Sequence, residues 1–243
     1  SGVTRLRQFG ALPFGWVNIN DGTLKPAIEN RHGVGEGLWH ATQSLTGMHL
    51  SGRRVAVLGY GPVGKGVAAY ARAAGANCEV IEPDPIRRLV AHYDGYPTPT
   101  LDDCLVRVGV VVTCTGSTNA INVGQLSGAR NGIVLVNAGH GDDEFDVDGI
   151  RAAATAVDQV SDNVVRYTLE DGPTVVLLAG GNPLNIVTNS GSPEPVLLHF
   201  ALLGLTLEWL CGQQLGHGEA PVPPALETAA AELAITALGM AHG

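Results

Sequence analysis

The sequence predicts an α/β protein built on a doubly wound parallel sheet with flanking helices. Three observations carry that prediction. Runs rich in β-branched residues recur along the middle of the chain: RRVAVL (53–58), CEVIE (78–82), GVVVTC (109–114), IVLVN (133–137) and VVLLA (175–179). Segments of helix formers and turn residues separate them, the rhythm of βαβ units. The first run leads directly into a glycine-rich loop that opens a helix.

Each element has its own local reason. Residues 35–46 read as a helix entering the domain. After Arg53-Arg54 the run to Leu58 is a compact apolar one, as in a strand buried on both faces. Residues 63–74 (VGKGVAAYARAA) form a helix with small residues on one face, stopped by Gly75. The run 78–82 is the next strand and closes on an acid. RYTLEDGPT (166–174) reads as a hairpin leading into the strand at 175–179. Residues 195–211 and 224–238 are largely apolar helices, and the proline-rich piece 220–224 between them reads as a linker. No internal repeat is visible.

Composition narrows the function classes. The 243 residues allow one large α/β domain, or one domain with attached pieces. Hydrophobic residues make up 45% and charged residues 15%, which suits a well-buried core. A net charge of −9 argues against a nucleic-acid surface, because phosphate backbones select clustered Lys and Arg. The four cysteines are dispersed, without a CxxC pair or a histidine at metal spacing, so no metal is expected. Cys78 and Cys114 read as inert buried thiols. The longest apolar stretch, 196–210, is short for a membrane span and is interrupted by His199 and Glu208. No membrane partner is expected, and the cytoplasm is the default location. The chain opens on Ser1-Gly2-Val3 without an initiator Met, as a segment of a longer protein would.

The loop Gly59-Tyr60-Gly61-Pro62-Val63-Gly64-Lys65-Gly66 follows a strand, opens a helix, lies in a unit of βαβ length, and is followed by a strand ending in Glu82. Those four conditions together make a dinucleotide site the expected reading, where a bare GxGxxG would be weak. Gly59 permits the tight turn, Gly61 lets the backbone approach a pyrophosphate, and Gly64 allows close helix–strand packing. The helix N-terminus offers free N–H groups to the anion, those near Val63 among them. Glu82 would accept from the adenosine ribose hydroxyls and repel a 2′-phosphate, favouring NAD over NADP. Arg87, five residues on, is the feature that softens this preference and is counted with the cofactor-binding residues.

Around these elements the sequence resembles the S-adenosyl-L-homocysteine hydrolase family. Residues 59–66 are similar to its GYGxVGKG, and Glu82-Pro83-Asp84-Pro85 to its E-x-D-P. Thr113-Cys114-Thr115-Gly116 is similar to its T-x-T-G, and Asn137-Ala138-Gly139-His140 to its N-x-G-H. Val17 to Lys25 resembles its INVNDSVTK, and Leu177 to Asn185 its LLAEGRLVN. The likeness holds in almost constant register over nearly the whole chain. It implies a reaction in which NAD oxidises a nucleoside 3′-hydroxyl, the 5′-thiolate is eliminated, water adds, and the ketone is reduced again. It also implies catalytic roles for Lys25, Glu29, Asn20 and His140. Cofactor contacts are implied at Asn30, Thr115, Gly139, His140 and Asn185. A small nucleoside substrate and a homo-oligomer, dimer or tetramer, belong to the same expectation. The stretch carrying Asp142, Glu144 and Asp146 reads as a solvated turn and helix N-terminus. The remaining histidines, His199 among them, receive no role.

The resemblance also implies an organisation. Residues 1–32 would be the remnant of a substrate domain and hinge carrying the catalytic segment, 33–190 the NAD-binding domain, and 191–243 C-terminal helices. An N-terminal substrate domain of the family has no counterpart in the sequence. Ser192 stands where the family has a His, Glu29 where it has Asp, and Gly22 where it has Ser. Its Lys- and Tyr-containing tail has no match after Met240. Three readings stay open: the hydrolase of S-adenosylhomocysteine, an NAD-dependent enzyme acting on another adenosine-type substrate, and an inactive NAD-binding regulatory homologue.

Overall fold

In a computed structural model, which describes residues 2–10, 12–170 and 172–240, the chain forms two units. One comprises Ser1–Gly33 with Ser192–Gly243, the other Val34–Gly191. The first and last stretches of the chain thus fold together.

The first unit opens with α1 (Gly2–Gln8), β1 (Gly15–Asn18) and a π-helix (Lys25–Gly33). The second unit follows with α2 (Val34–Thr46), β2 (Arg54–Leu58), α3 (Pro62–Ala73), β3 (Asn77–Ile81) and α4 (Pro85–Tyr93). Next come α5 (Leu101–Leu105), β4 (Val110–Thr113), α6 (Val123–Leu126), β5 (Ile133–Asn137) and α7 (Val147–Ala152). It ends with β6 (Ala154–Ser161), β7 (Val164–Leu169), β8 (Thr174–Leu178) and α8 (Leu184–Val187).

These strands make one sheet in the order β3-β2-β4-β5-β8-β7-β6. The first five are mutually parallel, so the doubly wound parallel sheet is present. The expected hairpin joins β7 to β8, and β6 extends it by a further antiparallel pairing. The sequence reading did not anticipate β6, whose residues are mostly exposed. Successive residues of one strand enter different cores. Val55, Val57, Val110 and Val112 pack with Trp39, Val67 and Ala71, whereas Ala56, Val111 and Leu135 pack with Leu105, Leu126 and Ile150. Burial of both faces is why these strands read as unbroken apolar runs.

The first unit resumes with α9 (Pro193–Cys211), β9 (Gly218–Pro221) and α10 (Pro224–Ala237). The stretch 220–224 is not the linker expected of it. Ala220 and Pro221 lie in β9, paired in parallel with β1, and Val222 is buried against Leu202 and Ala230. Proline is tolerated there because a two-stranded sheet is all edge. α9 starts earlier than expected, with Pro193 in its first turn, and its 19 residues make it long and apolar enough, by length and composition, to cross a bilayer.

Candidate functional site

In the second unit the candidate site is the carboxyl end of the parallel strands. β2 lies between β3 and β4, so the connections leaving it and returning to it diverge there. That is the switch point at which open α/β sheets hold ligands. Gly59 has φ +93°, and a Cβ on it would stand 2.8 Å from the Cys114 carbonyl oxygen. A Cβ on Gly64 would stand 2.0 Å from the Gly59 carbonyl oxygen, so α3 reaches the loop only because residue 64 is glycine. Gly61 differs: nothing lies within 4 Å of a Cβ built there. The first turn of α3 has no side-chain cap, and Pro62 has no N–H to satisfy. The N–H groups of Val63 and Gly64 open that helix, beside the open face of Gly61. This cradle fits a pyrophosphate.

Glu82 is buried at the end of β3, its carboxylate already aligned by the backbone. Its Oε2 accepts from Tyr60 N–H at 2.7 Å and its Oε1 from Asp84 N–H at 3.0 Å. Each oxygen keeps acceptor capacity for a ribose hydroxyl. Tyr60 is held in turn by its hydroxyl, which donates to Asp94 at 2.7 Å, and by an edge contact with Tyr96. Arg87 is exposed, and its backbone N–H donates to Asp84 at 2.8 Å as the N-cap bond of α4.

The next loops along the rim are tied to one another. Glu144 is fully buried, which corrects the expectation of a solvated turn. It accepts from Thr115 N–H (2.9 Å), the Thr115 hydroxyl (2.8 Å) and Gly116 N–H (2.8 Å). A Cβ on Gly139 would fall 1.6 Å from its Oε1, so the glycine after β5 makes room for this carboxylate. Asn137, also fully buried, donates to the carbonyls of Gly141 and Gly181 and accepts from Gly139 N–H. The loops after β4, β5 and β8 are thereby joined through two buried side chains. His140 is exposed on this rim, and Asn185 is half-buried in α8. Asp146, by contrast, caps α7 as expected of a helix N-terminus. Cys78 is buried, and burial pushes its thiol up to about 12, consistent with an inert group. Cys114, just after β4, is half-buried as a residue, yet burial of its thiol raises it well above the ordinary range, which also fits an inert group.

In the first unit the candidate site is the start of the π-helix. Lys25 Nζ lies 2.7 Å from Glu29 Oε2 and donates to Asn30 Oδ1. The i→i+5 winding of a π-helix brings residues i+4 and i+5 onto the face of residue i, and such turns concentrate at functional sites. The Lys25–Glu29 approach lies off the hydrogen-bond direction, so Oε2 is paired by charge alone. Glu227 of α10 caps this helix, accepting from Thr23 N–H (2.6 Å) and Leu24 N–H (2.9 Å). A Cβ on Gly22 would come 2.7 Å from the same Glu227 oxygen, a packing reason for glycine where the family has serine. Asn20 donates to Asp21 at 2.9 Å. Asp21 joins Arg7, Asn18 and Glu219 in a cluster that the pairing of β1 with β9 assembles. Hydrogen bonds from Asn18 and Asn20, then Arg7, hold the Asp21 carboxyl below its ordinary range. Sequence reasoning missed Asn18, Glu144, Asn137, Glu219 and Glu227. Of these, Asn18, Asn137 and Glu144 lay inside matched stretches, whereas Glu219 and Glu227 did not.

Residues 30–191 match the model of the S-adenosyl-L-homocysteine hydrolase NAD binding domain. The chain belongs to that family. NAD is the cofactor of the matched domain, and the cradle described above fits it. Among curated relatives, the adenosylhomocysteinase of Pyrobaculum aerophilum is 33% identical over 99% of this chain and 56% of its own length. That of Thermoplasma volcanium is 34% identical over 98% and 60%. The S-inosyl-L-homocysteine hydrolase of Methanopyrus kandleri is 32% identical over 99% and 58%. The chain therefore spans less than two thirds of these relatives. Among solved structures, the A chain of dipicolinate synthase from Bacillus subtilis superposes with a TM-score of 0.51 at 17% identity, covering 71% of this chain and 55% of that one. That likeness concerns the fold alone.

Proposed function

We propose that this chain is the NAD-binding and lysine-bearing portion of an enzyme that hydrolyses S-adenosyl-L-homocysteine to adenosine and homocysteine. The observation that carries the reading is the Lys25–Glu29–Asn30 cluster on a π-helix, in a chain that also holds an NAD-binding domain of this family. Bound NAD supplies the oxidation of the nucleoside 3′-carbon and its later reduction, so turnover consumes no external reductant.

The chain's own residues then have distinct tasks. The cradle of Gly59, Gly61, Val63 and Gly64 holds the pyrophosphate, and Glu82 the adenosine ribose. Asn30, Thr115, Gly139 and Asn185 complete the cofactor contacts. Lys25 takes the proton of the 3′-hydroxyl. To do so it must first be neutral. Glu29 and Asn20 accept and donate to the nucleoside hydroxyls, and His140 polarises the ketone oxygen. Oligomeric assembly and a cytoplasmic location belong to the same reading.

A second reading keeps these roles and changes the base of the nucleoside. Relatives named for adenosyl and for inosyl substrates match this chain about equally well, and Ser192 stands where the family has a histidine. Both readings are tested by incubating the full-length natural protein separately with S-adenosylhomocysteine and S-inosylhomocysteine and measuring free thiol. Release from the first supports the hydrolase proposed here. Release from the second alone selects the altered substrate. Release from neither sinks both, and leaves an NAD-bound regulatory homologue.

A further inference from the structure

The loop after β4 turns three donors onto one point. Thr115 N–H, the Thr115 hydroxyl and Gly116 N–H converge on the Glu144 carboxylate at 2.9, 2.8 and 2.8 Å. Successive N–H groups in such a turn, here with Gly116 at φ +65°, make a concavity of the kind that binds phosphate. Glu144, fully buried, fills it from the loop after β5. The first turn of α3 differs, because no side chain caps its N–H groups. Of these two anion sites on the rim, the protein leaves one open and closes the other with its own carboxylate.

The same contact fixes the Thr115 hydroxyl. A carboxylate can only accept, so the single hydroxyl proton points at Glu144. One of the two lone pairs accepts from Ser117 N–H at 3.0 Å. The other remains, on a side chain that is only half-buried. Towards a ligand the Thr115 hydroxyl is therefore an acceptor and nothing else.

We propose that Glu144 is a positioning residue for the cofactor. By filling the site after β4 it confines the pyrophosphate to α3. By holding the Thr115 proton it makes that loop take a donor, a hydroxyl or amide N–H of the nicotinamide half. The proposal rests on the reading of Thr115 as a cofactor contact. Glu82 takes the adenosine ribose on the β3 side of β2, so the dinucleotide crosses the switch point towards β4, where Thr115 stands.

The test reads NAD binding and needs no turnover. Calorimetric titration well below the melting temperature compares the unsubstituted protein with Glu144→Gln. That variant keeps the shape but has one acceptor oxygen, and whichever way its amide turns, its NH₂ group faces a donor of the loop. NAD affinity is expected to fall about ten-fold, the value of one hydrogen bond to the cofactor. Glu144→Ala is expected to lose at least as much, and added formate, a free carboxylate for the three donors, to restore most of it. In the NAD-free unsubstituted protein the Thr115 hydroxyl proton is expected to exchange slowly with water by NMR. Unchanged NAD affinity in folded Glu144→Gln overturns the proposal, as does an Ala variant that formate does not rescue. Where a variant does not fold, the hydroxyl decides: free exchange of its proton overturns the proposal and slow exchange supports it. Failure of the unsubstituted protein to bind NAD sinks the cofactor reading itself, whereas NAD binding indifferent to Glu144 sinks this proposal alone.

Discussion

The two candidate sites are built in opposite ways. In the second unit the rim is made by backbone: glycines that let chains approach, helix N–H groups, and buried side chains whose work is to hold loops. In the first unit the site is made by side chains on one helical face, steadied from helices far along the sequence. Glu227 and His199 reach the π-helix from α10 and α9. A backbone-built site should tolerate almost no change at its contacts. A side-chain-built site should lose function in smaller, separable steps.

The strongest way to break that contrast is at Gly64. An alanine there would place Cβ 2.0 Å from the Gly59 carbonyl oxygen, with no flexible side chain to yield. Gly64→Ala is expected to cost about 3 kcal/mol or more and lower Tm by roughly 6 °C or more, with loss of NAD binding. Gly61→Ala, whose Cβ meets open space, should stay within about 1 kcal/mol of the parent and lose affinity for NAD only. Thermal melts with and without NAD separate the two. Comparable melts would dismiss the idea that the two glycines have different tasks.

Next in size is Glu144→Ala, which takes the acceptor from three part-buried donors of Thr115 and Gly116. A loss of about 3 kcal/mol is expected in denaturant unfolding. In the other unit, Glu227→Ala removes a cap, so about 1 kcal/mol is expected. Amide exchange should quicken at Thr23 and Leu24 while β2 and β4 keep their protection. Global rather than local loosening would show that Glu227 is no more than core packing.

The smallest effect is acid sensitivity of the Asp21–Glu219 cluster. Both carboxyls are held low, Asp21 first by Asn18 and Glu219 first by Arg7. A depressed carboxyl contributes stability that is full above its unfolded value and lost as pH falls through the folded one. The window lies below about pH 4. The fluorescence of Trp16, on β1 opposite Glu219, should change in that window before the second unit unfolds. A simultaneous change in both units would contradict it.

The same contrast explains what the sequence revealed. The five parallel strands were legible because burial on both faces forces unbroken β-branched runs, and the glycine loop because its backbone demands glycine at 59 and 64. β6 was not, since an exposed edge strand such as ATAVDQVS carries little apolar signal. The π-helix resembled a loop because Pro26 and Gly33 punctuate it. Glu144 looked like a surface acid because its donors come from a loop 28 and 29 residues away. Glu219 was hidden beside a proline-rich stretch whose start became a strand only by pairing with β1. Local pattern reports backbone demands, and side-chain partnerships across the fold leave no local trace.

Titration of this 243-residue chain with NAD and with NADP, followed by calorimetry, tests the central claim most directly. Glu82, buried and aligned by Tyr60 and Asp84, should repel a 2′-phosphate. The expected result is one NAD per chain and NADP at least about ten-fold weaker. Equal affinity for the two, or binding of neither, would contradict the account.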